Sequence, residues 1–353
     1  MPLPRTLTRA LALLGLALAL HLSLTPVTAL ASPLALAVVG DSDSHGYHDT
    51  RAFPPGTPER GGAQRPTTYQ WTEVLAALRS PALDLGPRTD TGTFGRLARA
   101  LRAVGLDARA PRKRDHLHNF AVSGQGCEDL WGGVSQQVPQ LLNLMDEQPA
   151  RWRGGVVVIR IGVNTFGRAA DLERLSRNPR DPEVAGRIDA CVGQVRAAAE
   201  AIARAHPQAR VVLVGIFDNA HWGPYHARWR DPAALANISA GLDRFDQALQ
   251  RLAAERPQFA FFDDRAWFAS LWGGRNAEGA PAYRSVPFGP LQVINASGDA
   301  PRFATLADGH AGTAWNALWA RALVDLLNRR FQAGIPPLTD AELASLLGRP
   351  FAR

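Results

Sequence analysis

The stretch Leu34-Ala35-Leu36-Ala37-Val38-Val39-Gly40-Asp41-Ser42 decides the fold. An unbroken apolar run of strand length, ending at a glycine, is too apolar for a strand that wets one of its faces, and it reads as a strand covered on both sides. Apolar runs of strand length recur at residues 117–122, 156–161, 211–217 and 259–262. Segments of helical period lie near 71–78, 134–145, 188–205 and 238–254, with a last one near 314–331. Strands alternating with helices predict an α/β protein: a three-layer α/β/α sandwich around a five-stranded, mainly parallel sheet. The connections 43–69, 86–115, 219–230 and 272–302 are long, rich in Gly, Pro, Asp and Arg, and without clear period, as binding loops often are.

The rest of the chain bounds the class. Its 353 residues are 46% hydrophobic and 20% charged, which excludes a disordered or fibrous chain. Arg5 and Arg9 precede an apolar run from Ala10 to Leu24, and Ala29-Leu30-Ala31 stands before Ser32. This is the pattern of a secretory signal peptide over residues 1–31, too short for the roughly 20 residues of a membrane span. The domain expectation is therefore a signal peptide at 1–31, one α/β domain at 32–333, and a tail at 334–353 with a short helix capped by Thr339 or Asp340. The protein is expected to be secreted or periplasmic, without stable membrane insertion.

The formal charge is +7 and nearly all the basic residues are arginine, spread among acids, so no nucleic-acid footprint is visible. Arg112-Lys113-Arg114, the one basic cluster, reads as a solvated loop. Cys127 and Cys191 can bridge in an oxidising compartment or stay free, and no cysteine spacing matches a zinc ribbon.

Ligands of an open parallel sheet bind beyond the carboxyl ends of its strands. Those ends carry Gly40-Asp41-Ser42, Ser123-Gly124, Gly162-Val163-Asn164 and Asp218-Asn219, and Asp308-Gly309-His310 precedes the last helix. Gly40-Asp41-Ser42, Asn119-Phe120-Ala121-Val122-Ser123-Gly124, Ile161-Gly162-Val163-Asn164 and the C-terminal Asp-Gly-His resemble the four blocks of the SGNH or GDSL hydrolases. The resemblance covers most of the chain from Leu34 to about Phe331 and implies a flavodoxin-like sheet and ester hydrolysis.

It further implies Ser42 as the nucleophile, His310 as the base that activates it, and Asp308 as the acid that orients His310. The family usually sets the acid three residues before the histidine, and here the spacing is two. A Ser-His dyad with His310 held by a backbone carbonyl therefore stays open beside the triad. The oxyanion hole maps to the N–H groups of Ser42 and Gly124 and the side-chain amide of Asn164. Gly124 is expected to let the chain approach closely, and His45 and His48 to belong to a substrate loop.

Two other readings compete. Asp43-Ser44-His45-Gly46 contains an Asp-x-His-Gly that could ligate metal in a phosphoesterase, although the further ligands of a two-metal site are missing from the other strand ends. The scaffold could also serve as a non-catalytic carbohydrate- or surface-binding protein, but such a relative is expected to lack Ser42, Asn164 or His310. No Gly-x-Ser-x-Gly elbow follows a strand. The expectation is a serine esterase without metal or other cofactor, acting on a small acyl or carbohydrate ester. Oligomeric state is not legible.

Overall fold

The computed structural model describes residues 32–352, so the signal-peptide reading of residues 1–31 lies outside the described residues. A five-stranded sheet has the order β2-β1-β5-β6-β7, with β1 Leu34–Gly40, β2 Leu83–Asp84, β5 Val156–Arg160, β6 Arg210–Val214 and β7 Phe259–Phe262. Every pairing in it is parallel, with Val38 opposite Val158 and Val158 opposite Val212.

Period-two alternation sends Ala35, Ala37, Val39, Val157 and Ile159 to one face and Leu36, Val38, Val156 and Val158 to the other. The first face is covered by α3 (Gln137–Glu147), α6 (Pro182–Ala205) and α7 (Pro232–Ala254). The second is covered by α1 (Trp71–Arg79), α8 (Asp264–Trp272) and α9 (Thr313–Phe331). The result is a three-layer α/β/α sandwich. The two longest helices, α6 and α7, start on caps that their sequence supplies. Asp181 and Asp231 accept from the first-turn N–H groups of α6 and α7, and Pro182 and Pro232 follow them.

Residues 117–122 correct the expectation of a strand there. They run beside the end of β1, with Phe120 N–H donating to the Val38 carbonyl and Val122 N–H to that of Gly40, but they form one isolated bridge and no strand. The edge of β1 is shared between the two-residue β2 and this segment. The outward carbonyls of Asn119 and Ala121 accept from Lys113 Nζ, at 3.2 and 2.5 Å, where a further strand would otherwise donate. Lys113 is fully buried, so the reading of Arg112-Lys113-Arg114 as a solvated loop fails at its centre. Burial, then the neighbouring arginine charge, lower the Lys113 ammonium against the attraction of Asp115.

The long connections carry more structure than their composition suggests. An antiparallel ribbon of β3 (Arg88–Thr91) and β4 (Lys113–His116) brackets α2 (Gly95–Ala103). The segment after α8 forms a small sheet of β8 (Val286–Phe288), β9 (Leu291–Ser297) and β10 (Phe303–Thr305). Two short helices, α4 (Val163–Phe166) and α5 (Ala169–Arg177), follow β5, and α10 (Asp340–Ala344) ends the described elements with Thr339 at its N-cap. Cys127 and Cys191 are bridged, tying the turn after residues 117–122 to α6.

Candidate active site

The turn after β1 is closed by Asp41. Its carbonyl accepts from the N–H groups of Ser44 (3.2 Å) and His45 (3.1 Å), and its Oδ1 accepts from Asp43 N–H (2.9 Å). Ser42 N–H donates to no protein acceptor among the described residues. Trp71 Nε1 and Arg160 Nη1 both donate to the Asp43 carbonyl, at 3.0 and 3.1 Å, and so fix the turn from below. Arg160 is ion-paired with Asp264 at 3.1 Å, whose other oxygen accepts from Trp319 Nε1. Burial, and then the Asp43 charge, push the Asp41 carboxyl up to about 8.

Ser42, Asn164 and His310 line one cleft of about 450 Å³, together with Asp43, Arg160, Arg168, Trp222 and Tyr225. Ser42 is 8% exposed, and its hydroxyl has no hydrogen-bond partner among the described residues. Asn164 lies in the first turn of α4. Its Oδ1 accepts from Arg168 Nη2 (3.1 Å), and its Nδ2 donates to the Gln125 carbonyl (2.9 Å), leaving one amide hydrogen for the cleft.

Gly124 is outside the cleft lining but adjacent to Gln125. Its φ of +83° calls for glycine, whereas a Cβ there would meet nothing within 4 Å. The expectation of close approach is thus replaced by a conformational requirement. Gly124 N–H, like that of Ser42, donates to no protein acceptor among the described residues.

His310 stands at the start of the turn into α9. Asp308 Oδ1 accepts from His310 N–H at 3.1 Å and lies 3.2 Å from His310 Nδ1. Gly309, at φ +86°, folds the carboxylate back over the ring, and a Cβ there would strike Trp222 at 2.2 Å. Burial would raise the Asp308 carboxyl. The hydrogen bond and charge of His310, with the N–H and guanidinium of Arg60, outweigh it and hold the group well below the usual range.

Arg60 is the residue that sequence reasoning missed. It is almost fully buried, at φ +59°, with its guanidinium 4.4 Å from the Phe53 ring centroid. Its Nη1 lies 2.6 Å from both Asp308 Oδ2 and His310 Nδ1, and its Nη2 donates to Ser123 Oγ at 3.1 Å. A guanidinium has no acceptor, so Nδ1 accepts from Arg60 only when the imidazole proton is on Nε2. When the proton is on Nδ1, its acceptor is Asp308. Both tautomers have a partner, and only the second leaves Nε2 free to take a proton. No sequence signal marks Arg60, which sits in the aperiodic stretch 43–69.

The histidines near Ser42 also differ from expectation. His45 is buried, and its Nδ1 accepts from Ser123 N–H (3.1 Å) and lies 3.0 Å from Ser123 Oγ. The proton is therefore on Nε2, which donates to Asp49 at 2.8 Å. Burial, then Lys113, lower the His45 imidazole and keep it neutral. His45 is a support for the Ser123-Gly124 turn and not a substrate contact. His48 stacks on Phe351 at 4.0 Å and lines a different cleft, of about 900 Å³, that contains none of Ser42, Gly124, Asn164, Asp308 and His310. Among the described residues no group of three or more His, Cys, Asp or Glu side chains gathers to hold a metal ion.

Comparison with solved structures gives distant matches. The extracellular lipase of Streptomyces rimosus is 18% identical, with 83% of this chain and 99% of that chain covered at a TM-score of 0.40. The phospholipase A1 of Streptomyces albidoflavus is 14% identical, with 84% and 100% covered at 0.37. A carbohydrate esterase family 2 enzyme of Corynascus thermopiles (Myceliophthora fergusii) is 17% identical, with 86% and 69% covered at 0.37. The comparison with curated proteins yields no match. The GDSL-like lipase/acylhydrolase family model matches residues 36–263, which include Ser42, Gly124 and Asn164 and end before Asp308 and His310. With well over half of its length matched, the chain belongs to the GDSL-like lipase/acylhydrolase family and is an ester-bond hydrolase.

Proposed function

We propose that this hydrolase is an exported serine esterase that cleaves small acyl esters, including those of carbohydrates, with Ser42 as nucleophile, His310 as base and Asp308 as its orienting acid. The observation that carries the reading is the convergence of Ser42, Asn164 and His310 on one cleft. In the acylation step His310 Nε2 takes the Ser42 proton as Oγ attacks the ester carbonyl carbon. Asp308 accepts from Nδ1–H and stabilises the imidazolium. The carbonyl oxygen becomes an oxyanion held by Ser42 N–H, Gly124 N–H and Asn164 Nδ2, two of them backbone donors with no protein acceptor to compete. The tetrahedral intermediate collapses, the alkoxide leaves with the proton from His310, and an acyl-Ser42 ester remains. Water, deprotonated by His310, then attacks that ester and releases the acid and free Ser42.

The cleft volume of about 450 Å³ suits a small acyl group with one ring of its alcohol. Trp222 and Tyr225, edge to face at 4.7 Å, offer a surface on which a sugar ring can stack. The test is labelling of the mature protein with a fluorophosphonate, followed by peptide mapping, beside folded Ser42→Ala and His310→Ala variants. Labelling at Ser42 that vanishes in both variants is expected. A folded wild-type protein that hydrolyses esters yet is not labelled at Ser42 would overturn the assignment.

A further inference from the structure

Five large apolar residues are strongly exposed among the described residues, and four of them lie within one short excursion: Phe94 (66%), Leu97 (48%), Val104 (72%) and Leu106 (56%). Phe94 caps α2, Leu97 lies within it and Val104 ends it, so the helical repeat aligns the three along one stripe whose inner edge is the half-buried Leu101. Leu101 and Ala98 face inward onto a small cluster with Ala108, Ala110 and Val134, separate from the two cores that cover the sheet. Arg102 secures this base by donating to the carbonyls of Ala108 (2.9 Å) and Val134 (2.8 Å). The outer stripe is therefore presented on a fixed base and is covered by nothing among the described residues.

Its charge says what can cover it. Arg96, Arg99 and Arg112 are exposed beside the stripe, and Arg112 lies over the Phe94 ring at 5.3 Å. None of the three is in an ion pair among the described residues. Asp107, the only acid from Phe94 to Arg112, accepts from Gln140. A narrow convex row of Phe, Leu and Val flanked by free arginines matches a layered surface, apolar beneath and anionic above. We propose that α2 docks this enzyme peripherally on anionic phospholipid bilayers, with Phe94, Leu97, Val104 and Leu106 at the acyl boundary and Arg96, Arg99 and Arg112 on the phosphates. With nine residues α2 is too short to cross a bilayer, so its contact is interfacial. This inference does not depend on which residues carry out hydrolysis.

The test is co-sedimentation of the full mature protein with phosphatidylcholine vesicles, with and without phosphatidylglycerol. It is repeated for Leu97→Asp/Val104→Asp and for Arg96→Glu/Arg99→Glu, all at exposed positions. Salt-sensitive binding that needs phosphatidylglycerol is expected, weakened about fivefold for each arginine removed and at least tenfold by the aspartate pair. Hydrolysis of a soluble ester and thermal unfolding should stay as in the wild type. Absence of binding to either vesicle would overturn the proposal. So would binding that the aspartate pair leaves intact, which would mean mere electrostatic adsorption. A dimer in solution that the aspartate pair disperses, without vesicle binding, would instead assign the stripe to self-association.

Discussion

Replacing Arg60 by methionine tests whether the ion pair behind His310 holds this part of the molecule together. The Arg60 and Asp308 side chains are 5% and 17% exposed, so solvent screens the pair weakly. Removing one partner of a buried pair costs about 3–5 kcal/mol, because the other charge is left uncompensated. Asp308 keeps two N–H donors, from Arg60 itself at 2.9 Å and from His310 at 3.1 Å, which moves the cost toward the lower end. Loss of the guanidinium from the Phe53 ring adds about 0.5–1 kcal/mol. Arg60→Met is therefore expected to lose about 3–4 kcal/mol in urea unfolding at neutral pH. A double-mutant cycle with Asp308→Asn should return a coupling of about 2 kcal/mol or more.

The pH dependence has a definite sign. The folded Asp308 carboxyl titrates below its unfolded value of about 3.9, so the pair's contribution is complete above that value and fades as acid protonates the folded group. A coupling below about 0.5 kcal/mol at pH 7, or one that grows in acid, would refute the reasoning.

Two further outcomes follow from the site. Asn164→Ala should lower turnover by on the order of 10²–10³-fold with the fold intact, as when one oxyanion donor is lost, and steady-state kinetics beside circular dichroism checks it. Asp41, whose folded carboxyl lies above the unfolded value of about 3.9, binds its proton more tightly in the native state. Wild-type stability should consequently fall as pH rises from about 4 through the folded value, and Asp41→Asn should flatten that slope in urea midpoints measured across the range. Equal slopes in both proteins would contradict the burial argument.

The framework was legible because the chemistry of a parallel sheet collects at one edge. Leu34 to Gly40 reads as a doubly covered strand from its apolarity alone, and the residues after each such strand then share a rim whatever the loops do. Residues 117–122 carry a weaker apolar signal, broken by His118 and Asn119, and the ladder beyond them is replaced by Lys113, a side chain that no period reveals. The excursion 86–115 hid α2 because its outward face repeats leucine and valine among arginines, and outward apolar residues look aperiodic to a reading that expects them inside. His45 and Arg60 were illegible for another reason. Their partners lie 78 and 248 residues away, at Ser123 and Asp308, and only the folded chain brings them into contact.

The two-residue spacing of Asp308 and His310 and the presence of Arg60 are one solution. An acid two residues before the histidine can reach Nδ1 only by folding back through Gly309, and it then spends Oδ1 on the histidine's own N–H as well as on the ring. That turn leaves Oδ2 directed away from His310 in a mostly buried place, where an unpaired carboxylate oxygen is costly. Arg60 meets it twice, with its N–H and with Nη1, and Ser123 holds the other arm of the guanidinium. Ser123 is in turn held by His45, whose Nε2 donates to Asp49. The turn that presents the Gly124 N–H and the acid behind His310 are thus braced by one continuous set of hydrogen bonds. A loop that shifts Arg60 would disturb both sides of the cleft together.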